Sequence, residues 1–331
     1  GIWNQVKKAA EPHLEERDKR IKHFLETGEL PESEGKKVTN LVTEGDGVML
    51  SLQREKTRRA EVKVGIAYEG WEQIGKERYK TLNKSIYGDI ACSEEYWAGM
   101  TLKLYQKYDM AAPERVVLGG DGAERVKEGL NWVGGRFQLD RYHLNGELRT
   151  ALGPDNETIK LVRQACGEGD IGKACQLLTE AEKKTRGDQA KKIEKARHYL
   201  MKNESGLRDY RLDLREEAKG LRRTGAMEGN VDKLVVKRMK GHGMSWTIKG
   251  CRRMLWVRFH WLEGTLKESL GPPIQTAVAT GPMARKVKHI IDKTLTENPG
   301  DWLNMKLPAL YGPHCSHPWA LVLKSLAQGS I

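Results

Sequence analysis

The spacing of apolar residues changes along the chain, and each change marks an element or a boundary. Residues 1–38 read as a charged helix followed by a polar linker. The run EERDKR suits a solvated helix face, and GELPESEG ends the helix with glycine and proline. From Lys37 the period becomes two. Residues 38–42 are β-rich and run into EGDG, and residues 48–53 alternate like a strand. Residues 62–68 (VKVGIAY) alternate again, so the basic segment REKTRR between them is expected to be a hairpin turn. This puts Asp46 near the start of the first strand. Residues 78–82 are expected to form the third.

Helical spacing then enters. Residues 94–108 place Tyr96, Trp97, Met100, Leu102, Leu104 and Tyr105 on an apolar side. Val116, Val117 and Leu118 read as a buried strand that ends in Gly119, Gly120, Asp121 and Gly122. A helix follows with Val126 and Leu130 on one face. Phe137, Gln138 and Leu139 form another short strand, ended by Asp140, with His143 three residues on. From Ala151 to about Arg223 no strand pattern occurs, and three apolar sets recur at helical spacing: Ile159, Leu161 and Val162; Ile171, Ala174, Leu177 and Leu178; Ile193, Ala196, Leu200 and Met201. GAMEGN opens a further helix faced by Val231, Leu234, Val235 and Met239. Residues 247–270 are helical, and the chain is irregular beyond Gly271.

Antiparallel strands followed by alternating β and α elements predict an α/β protein with a mixed sheet. Five segments are expected. Residues 1–37 are an N-terminal helix and linker, and 38–150 are the first part of the core. Residues 151–224 are an all-helical insertion, 225–270 are the closing helix of the core and the helix after it, and 271–331 are a C-terminal extension.

Charge adds a partner. The chain of 331 residues carries 57 basic and 45 acidic side chains, a net charge of +12. That balance fits a polyanion, nucleic acid first, or simply a basic protein. Five cysteines are scattered without a CxxC pair, the pattern of a reduced, intracellular protein rather than a disulfide framework. No apolar stretch approaches the roughly 20 residues of a membrane span. The N-terminus is polar and helical in pattern, unlike a secretory signal. A cytoplasmic protein without a membrane partner is expected.

Candidate chemistry sits at the strand ends, where open α/β sheets bind ligands. Asp121, between glycines, reads either as a helix cap or as a ligand. Asp46, Asp121 and Glu228 lie on separate elements, and Asp232 shares a helix face with Glu228. Acids converging at one point need a cation, and oxygen donors of this kind suit Mg²⁺ in a site that keeps room for phosphate. Two such ions could serve phosphodiester chemistry. Arg54, Arg58 and Arg59 either face a phosphate backbone or form a solvated hairpin tip. Trp256, Phe259 and Trp261 either stack on bases or belong to a core. His314, Cys315 and His317 are too tightly spaced for a structural zinc site. A nucleotide loop at residues 118–122 lacks both GxGxxG and the Walker pattern.

Three segments are more specific: EGDGVMLSLQREKTRRAEVKVGIAYEGW, GGDGAERVKEGLNWVGGRFQLDRYHLN and AMEGNVDKLVVKRMKGHGMSW. In order and spacing they resemble the ISLre-type insertion-sequence transposases, many of which have been catalogued as an uncharacterised family. The resemblance runs from about Arg17 to the PALYGPH and HPW segments. It implies a DDE transposase of the Mutator-like group with an RNase H-like core, interrupted by a helical insertion before the last catalytic helix. It further implies that Asp46, Asp121 and Glu228 are the catalytic, metal-holding acids, with two Mg²⁺ ions (or Mn²⁺) as cofactor. Asp140 and His143, in DRYH, are supporting residues. Arg54, Arg58, Arg59, Arg141, Arg222 and Arg223 are expected to contact nucleic acid. The implied partners are transposon ends and target DNA, bound by a homo-oligomer. Family members carry a longer region before the core, expected to recognise the element ends. Little precedes the core here, so a fragment, a degenerate copy or a short member is expected. The alternative is a domesticated or truncated relative that binds DNA without cutting it.

Overall fold

The computed structural model describes residues 2–30, 35–110, 115–154, 156–214 and 220–270. The His314, Cys315 and His317 cluster lies outside the described residues. In chain order the elements are α1 (Ile2–Thr27), β1 (Asn40–Ser51), β2 (Arg59–Tyr68), β3 (Trp71–Gly75), β4 (Arg78–Thr81), β5 (Ser85–Asp89), α2 (Ser93–Lys107) and β6 (Arg115–Gly120). There follow α3 (Glu124–Lys127), α4 (Leu130–Val133), β7 (Arg136–Leu139), α5 (Arg141–Leu152), α6 (Thr158–Glu168), α7 (Ile171–Lys183), α8 (Asp188–Lys202) and α9 (Glu204–Leu207). The last are α10 (Ala226–Val231), a π turn (Asp232–Val236), α11 (Lys237–Met239) and α12 (Ile248–Glu263).

The chain divides into two compact units. One comprises residues 1–37, 88–111 and 248–331; its described helices are α1, α2 and α12. Ala10 and Leu14 of α1 bury against Trp256 of α12. Arg253 pairs with Glu11, and Arg252 bridges Asp18 and the buried Asp89. Trp256 and Phe259 are therefore core residues and only Trp261 is exposed, which settles those aromatics in favour of packing. No helix among the described residues is long and apolar enough to cross a membrane.

The other unit, residues 38–87 and 112–247, is a mixed α/β body. Its five-stranded sheet has the order β5-β2-β1-β6-β7. β1 runs antiparallel to β2 and parallel to β6, and β6 runs parallel to β7. β-Branched and aromatic residues fill the sheet core: Val42, Val62, Val64, Ile66, Tyr68, Val117 and Phe137 are all buried. α10 packs on β1 and β2, and α9 on β7. α5 to α8 pack on one another as successive helices, and the described residues between 153 and 214 hold helices and no strand.

Three expectations change. First, β1 is one strand of 12 residues, and Asp46 lies in its middle, paired with Val64, rather than near its start. Gly45 and Gly47 do not break the strand because pairing with β2 continues through both. Second, residues 78–82 do not supply the sheet's third strand. β4 pairs with β3 in a separate exposed ribbon, and the short buried β5 takes the sheet edge. Third, the helix expected after Asp121 is two single turns, α3 and α4.

Candidate functional site

The sheet register assembles the site. The last parallel pair of β1 and β6 is Gly45 with Gly120, and one residue further stand Asp46 and Asp121. Gly120 pairs in turn with Leu139 of β7, after which comes Asp140. Asp121 and Asp140 thus stand just past the ends of β6 and β7, level with Asp46 in the middle of the neighbouring β1. Gly120 is required at this point because a Cβ there would lie 2.5 Å from Val126. α10 brings Glu228 from above β1 in its first turn.

Asp140 is buried and caps α5. Its Oδ1 accepts from the Tyr142 amide at 3.0 Å, and its Oδ2 faces His143 Nδ1 at 3.2 Å. That contact orients the ring and leaves Nε2 as the nitrogen for a ligand. The hydrogen bond with Asp140 raises the His143 pKa against the opposing effect of burial, and the charges of Asp140, Asp46 and Asp121 add to the rise. One ligand atom from each of Asp46, His143 and Glu228 lies within 4.8 Å of the others, a grouping that can hold a cation. Asp46 shows the cost of leaving this charge uncompensated. Burial raises its pKa, with a further push from Asp121, while the Gly47 amide and the His143 and Arg125 charges pull it down.

Asp121 is near enough to act on Asp46 electrostatically but is turned to its own helix. Its Oδ1 accepts from the Ala123 amide at 2.9 Å, and its Oδ2 pairs with Arg125 at 2.9 Å. Arg125 also bridges to Glu61 at 3.0 Å. Both readings of Asp121 therefore have a physical basis: it caps a turn, and its charge acts on Asp46 of the Asp46–His143–Glu228 group. The loop is fixed from the helical insertion. The Tyr199 hydroxyl of α8 donates to the Asp121 carbonyl at 2.9 Å. Gly122 (φ +84°) sits so close to Asn203 that a Cβ would lie 2.4 Å from its Oδ1.

Glu44 is the residue that sequence reasoning missed. It lies two positions before Asp46 on the same strand and is fully buried. Its Oε2 accepts from the amides of Gly225 and Met227 at 3.0 and 2.9 Å. Its Oε1 accepts from Ala226 at 3.2 Å and from the Tyr68 hydroxyl. These amides begin α10, so one carboxylate ties the strand of Asp46 to the helix of Glu228. Burial raises the Glu44 pKa despite these donors. An acid inside the otherwise apolar run LVTEG was the available signal.

The predicted nucleic-acid contacts separate into two places. Arg54, Arg58 and Arg59 are exposed in the β1–β2 turn, where the Leu52 amide donates to the Arg58 carbonyl. Five residues of strand separate Asp46 from Ser51, roughly 17 Å, so this turn is remote from the acids. Arg141 and Arg223 both contact Asp209, and Arg222 lies 3.5 Å over the Tyr79 ring. Asp232 is not drawn in with Glu228; it pairs with Lys237 at 2.7 Å. Cys92, Cys166, Cys175 and Cys251 are free thiols.

Comparison with known proteins gives relatives but no activity. A UPF0236 protein of Caldanaerobacter subterraneus subsp. tengcongensis is 26% identical over 246 residues, covering 72% of this chain and 50% of its own length. Another from the same organism is 29% identical over 201 residues, covering 60% and 41%, and bears 11 gene designations in its name. The chain spans about half the length of the curated relatives it matches. Residues 23–270 match the uncharacterised protein family UPF0236, and the chain belongs to that family.

Proposed function

We propose that this chain carries the catalytic core of a DDE transposase, which cuts DNA at insertion-sequence ends and joins it to target DNA. The observation that carries the reading is the grouping of Asp46, His143 and Glu228 within 4.8 Å, with Asp121 beside them. The sheet order supports it: a central first strand antiparallel to the second and parallel to the next is the arrangement of an RNase H-like core. So does the family: one relative carries 11 gene designations within one genome, the multiplicity that a self-copying element leaves.

The residues fit a divalent cation. Two carboxylates and a histidine converge, and Asp46 pays a burial penalty that a cation would remove. Asp46, His143 and Glu228 would hold the ion, and Asp121 would join by exchanging Arg125 for it. A bound Mg²⁺, or Mn²⁺, supplies positive charge that activates the attacking oxygen and stabilises the leaving one. The chain's own residues orient the rest. Asp140 fixes the His143 ring, Glu44 fixes the helix of Glu228, and Tyr199 fixes the loop of Asp121. In the first reaction a water oxygen bonds to phosphorus, and the bond from phosphorus to the 3′ oxygen breaks. The freed 3′-hydroxyl then repeats the displacement on target DNA. A homo-oligomer would hold the ends and the target together.

One observation favours a second reading, a DNA-binding relative without catalysis. Arg125 already supplies Asp121 with a cation. Strand cleavage separates the two. Wild-type protein is expected to cleave and join terminal-repeat DNA with Mg²⁺, and Asp121→Asn at least about a hundredfold more slowly. Equal rates would sink the catalytic assignment, and DNA binding with no cleavage by either protein would leave the second reading.

A further inference from the structure

We propose that Arg141, Arg211 and Arg223, gathered at Asp209 on the segments that lead to His143 and Glu228, form a preorganised seat for a backbone phosphate of the DNA strand being cut. The inference rests on the proposed function and adds a binding site to it.

Asp209 is the organising residue, with a side chain only 7% exposed. Its Oδ1 accepts from Arg211 Nε at 3.0 Å. Its Oδ2 accepts from Arg211 Nη2 at 2.8 Å, Arg223 Nε at 3.1 Å and Arg141 Nη2 at 3.4 Å. The backbone amide of Arg211 also donates to Oδ1, at 3.2 Å. Each guanidinium offers five N–H donors, whereas a carboxylate has about four lone-pair sites. One acid therefore fixes three arginines in place but can neither neutralise them nor use most of their donors. Arg163 adds a fourth positive charge close enough to act on Arg141. Gathering like charges this way costs energy unless an anion completes the set, and a phosphate matches guanidinium forks in charge and geometry.

The position relates this cluster to the acids. Arg141 opens α5 two residues before His143. Arg223 stands two residues before Gly225, whose amide is held by Glu44, and five before Glu228. The loop between is pinned, because the Tyr210 hydroxyl donates to the Arg222 carbonyl. Arg141 and Arg223 thus stand on the two segments, the start of α5 and the approach to α10, that carry His143 and Glu228.

The test is the salt dependence of binding to a short synthetic duplex, measured for the full chain. Arg141→Gln and Arg223→Gln each remove one guanidinium and leave Arg211 paired with Asp209, and Arg223, half exposed, is expected to tolerate the change even where Arg141→Gln does not fold. Each is expected to bind several-fold more weakly, with the slope of log K against log salt reduced by about 0.9 for the lost phosphate contact. Wild-type affinity and slope in both arginine variants would overturn the seat and leave the proposed function standing. No DNA binding by the wild-type protein at low salt would overturn the proposed function, and the seat with it.

Discussion

Glu44→Gln probes the account at a residue that touches no substrate. The substitution keeps shape and removes one acceptor oxygen. Four donors meet the wild-type carboxylate: the amides of Gly225, Ala226 and Met227 and the Tyr68 hydroxyl. The amide's best orientation puts its oxygen at the Oε2 position, so Gly225 and Met227 keep their acceptor. Its nitrogen then faces Tyr68, whose hydroxyl can rotate to accept, and Ala226, which cannot. The half-buried Ala226 N–H loses its partner, at a cost of about 1 kcal/mol. In urea that lowers the unfolding midpoint by roughly 0.5 M, taking a slope near 2 kcal/mol/M. The same lost bond loosens the start of α10, where Glu228 sits, and about 1 Å of misplacement can cost about a hundredfold in rate. Urea unfolding and plasmid nicking, run on the same preparation, check both parts. A variant with the wild-type midpoint and wild-type nicking would refute the idea that Glu44 couples β1 to α10.

Other perturbations report on neighbouring parts. Gly122→Ala forces a side chain into a left-handed backbone and against Asn203, and is expected to destabilise the unit by about 1–3 kcal/mol in urea unfolding while slowing nicking. Tyr199→Phe removes the hydroxyl that holds the Asp121 carbonyl, with an expected loss of about 1 kcal/mol by the same measurement. His260, between Lys103 and Glu263 and near His13, is held down to about 4, chiefly by burial and then by the Lys103 charge. A lowered histidine pKa gives stability that is present above the unfolded value near 6.5 and is lost as pH falls toward 4. Allowing for partial solvent screening, wild-type stability should drop between pH 7 and 4 by about 1–2 kcal/mol more than that of His260→Gln, as followed by urea unfolding at each pH.

Much of this was legible in the residues. β1 and β2 show in their alternation, β6 and β7 as short apolar segments each ended by an acid, and α6 to α8 in the spacing of their apolar faces. The acids at the strand ends were visible because glycines flank them, in EGDG and GGDGA. The sheet edge was not legible. SIYGD is short, buried throughout and interrupted by glycine, whereas RYKT alternates well and lies in an exposed ribbon, so periodicity pointed to the wrong strand. Glu44 stayed hidden because its partners are backbone amides 181 to 183 residues away and a hydroxyl on the adjacent strand. The Asp121–Arg125 pair obeys the i,i+4 rule and could have been read from spacing. His143 was expected in a supporting role, yet it lies with Asp46 and Glu228 in one group, its ring oriented by Asp140.

Asp46, His143 and Glu228 are proposed to act through a divalent cation on DNA. The most direct measurement is nicking of supercoiled plasmid across a Mg²⁺ titration, for the wild-type protein and Asp46→Asn. Saturable, Mg²⁺-dependent nicking is expected of the wild type, and none of Asp46→Asn at any concentration. Nicking by Asp46→Asn at the wild-type rate, or none by the wild type with either Mg²⁺ or Mn²⁺, would contradict that role.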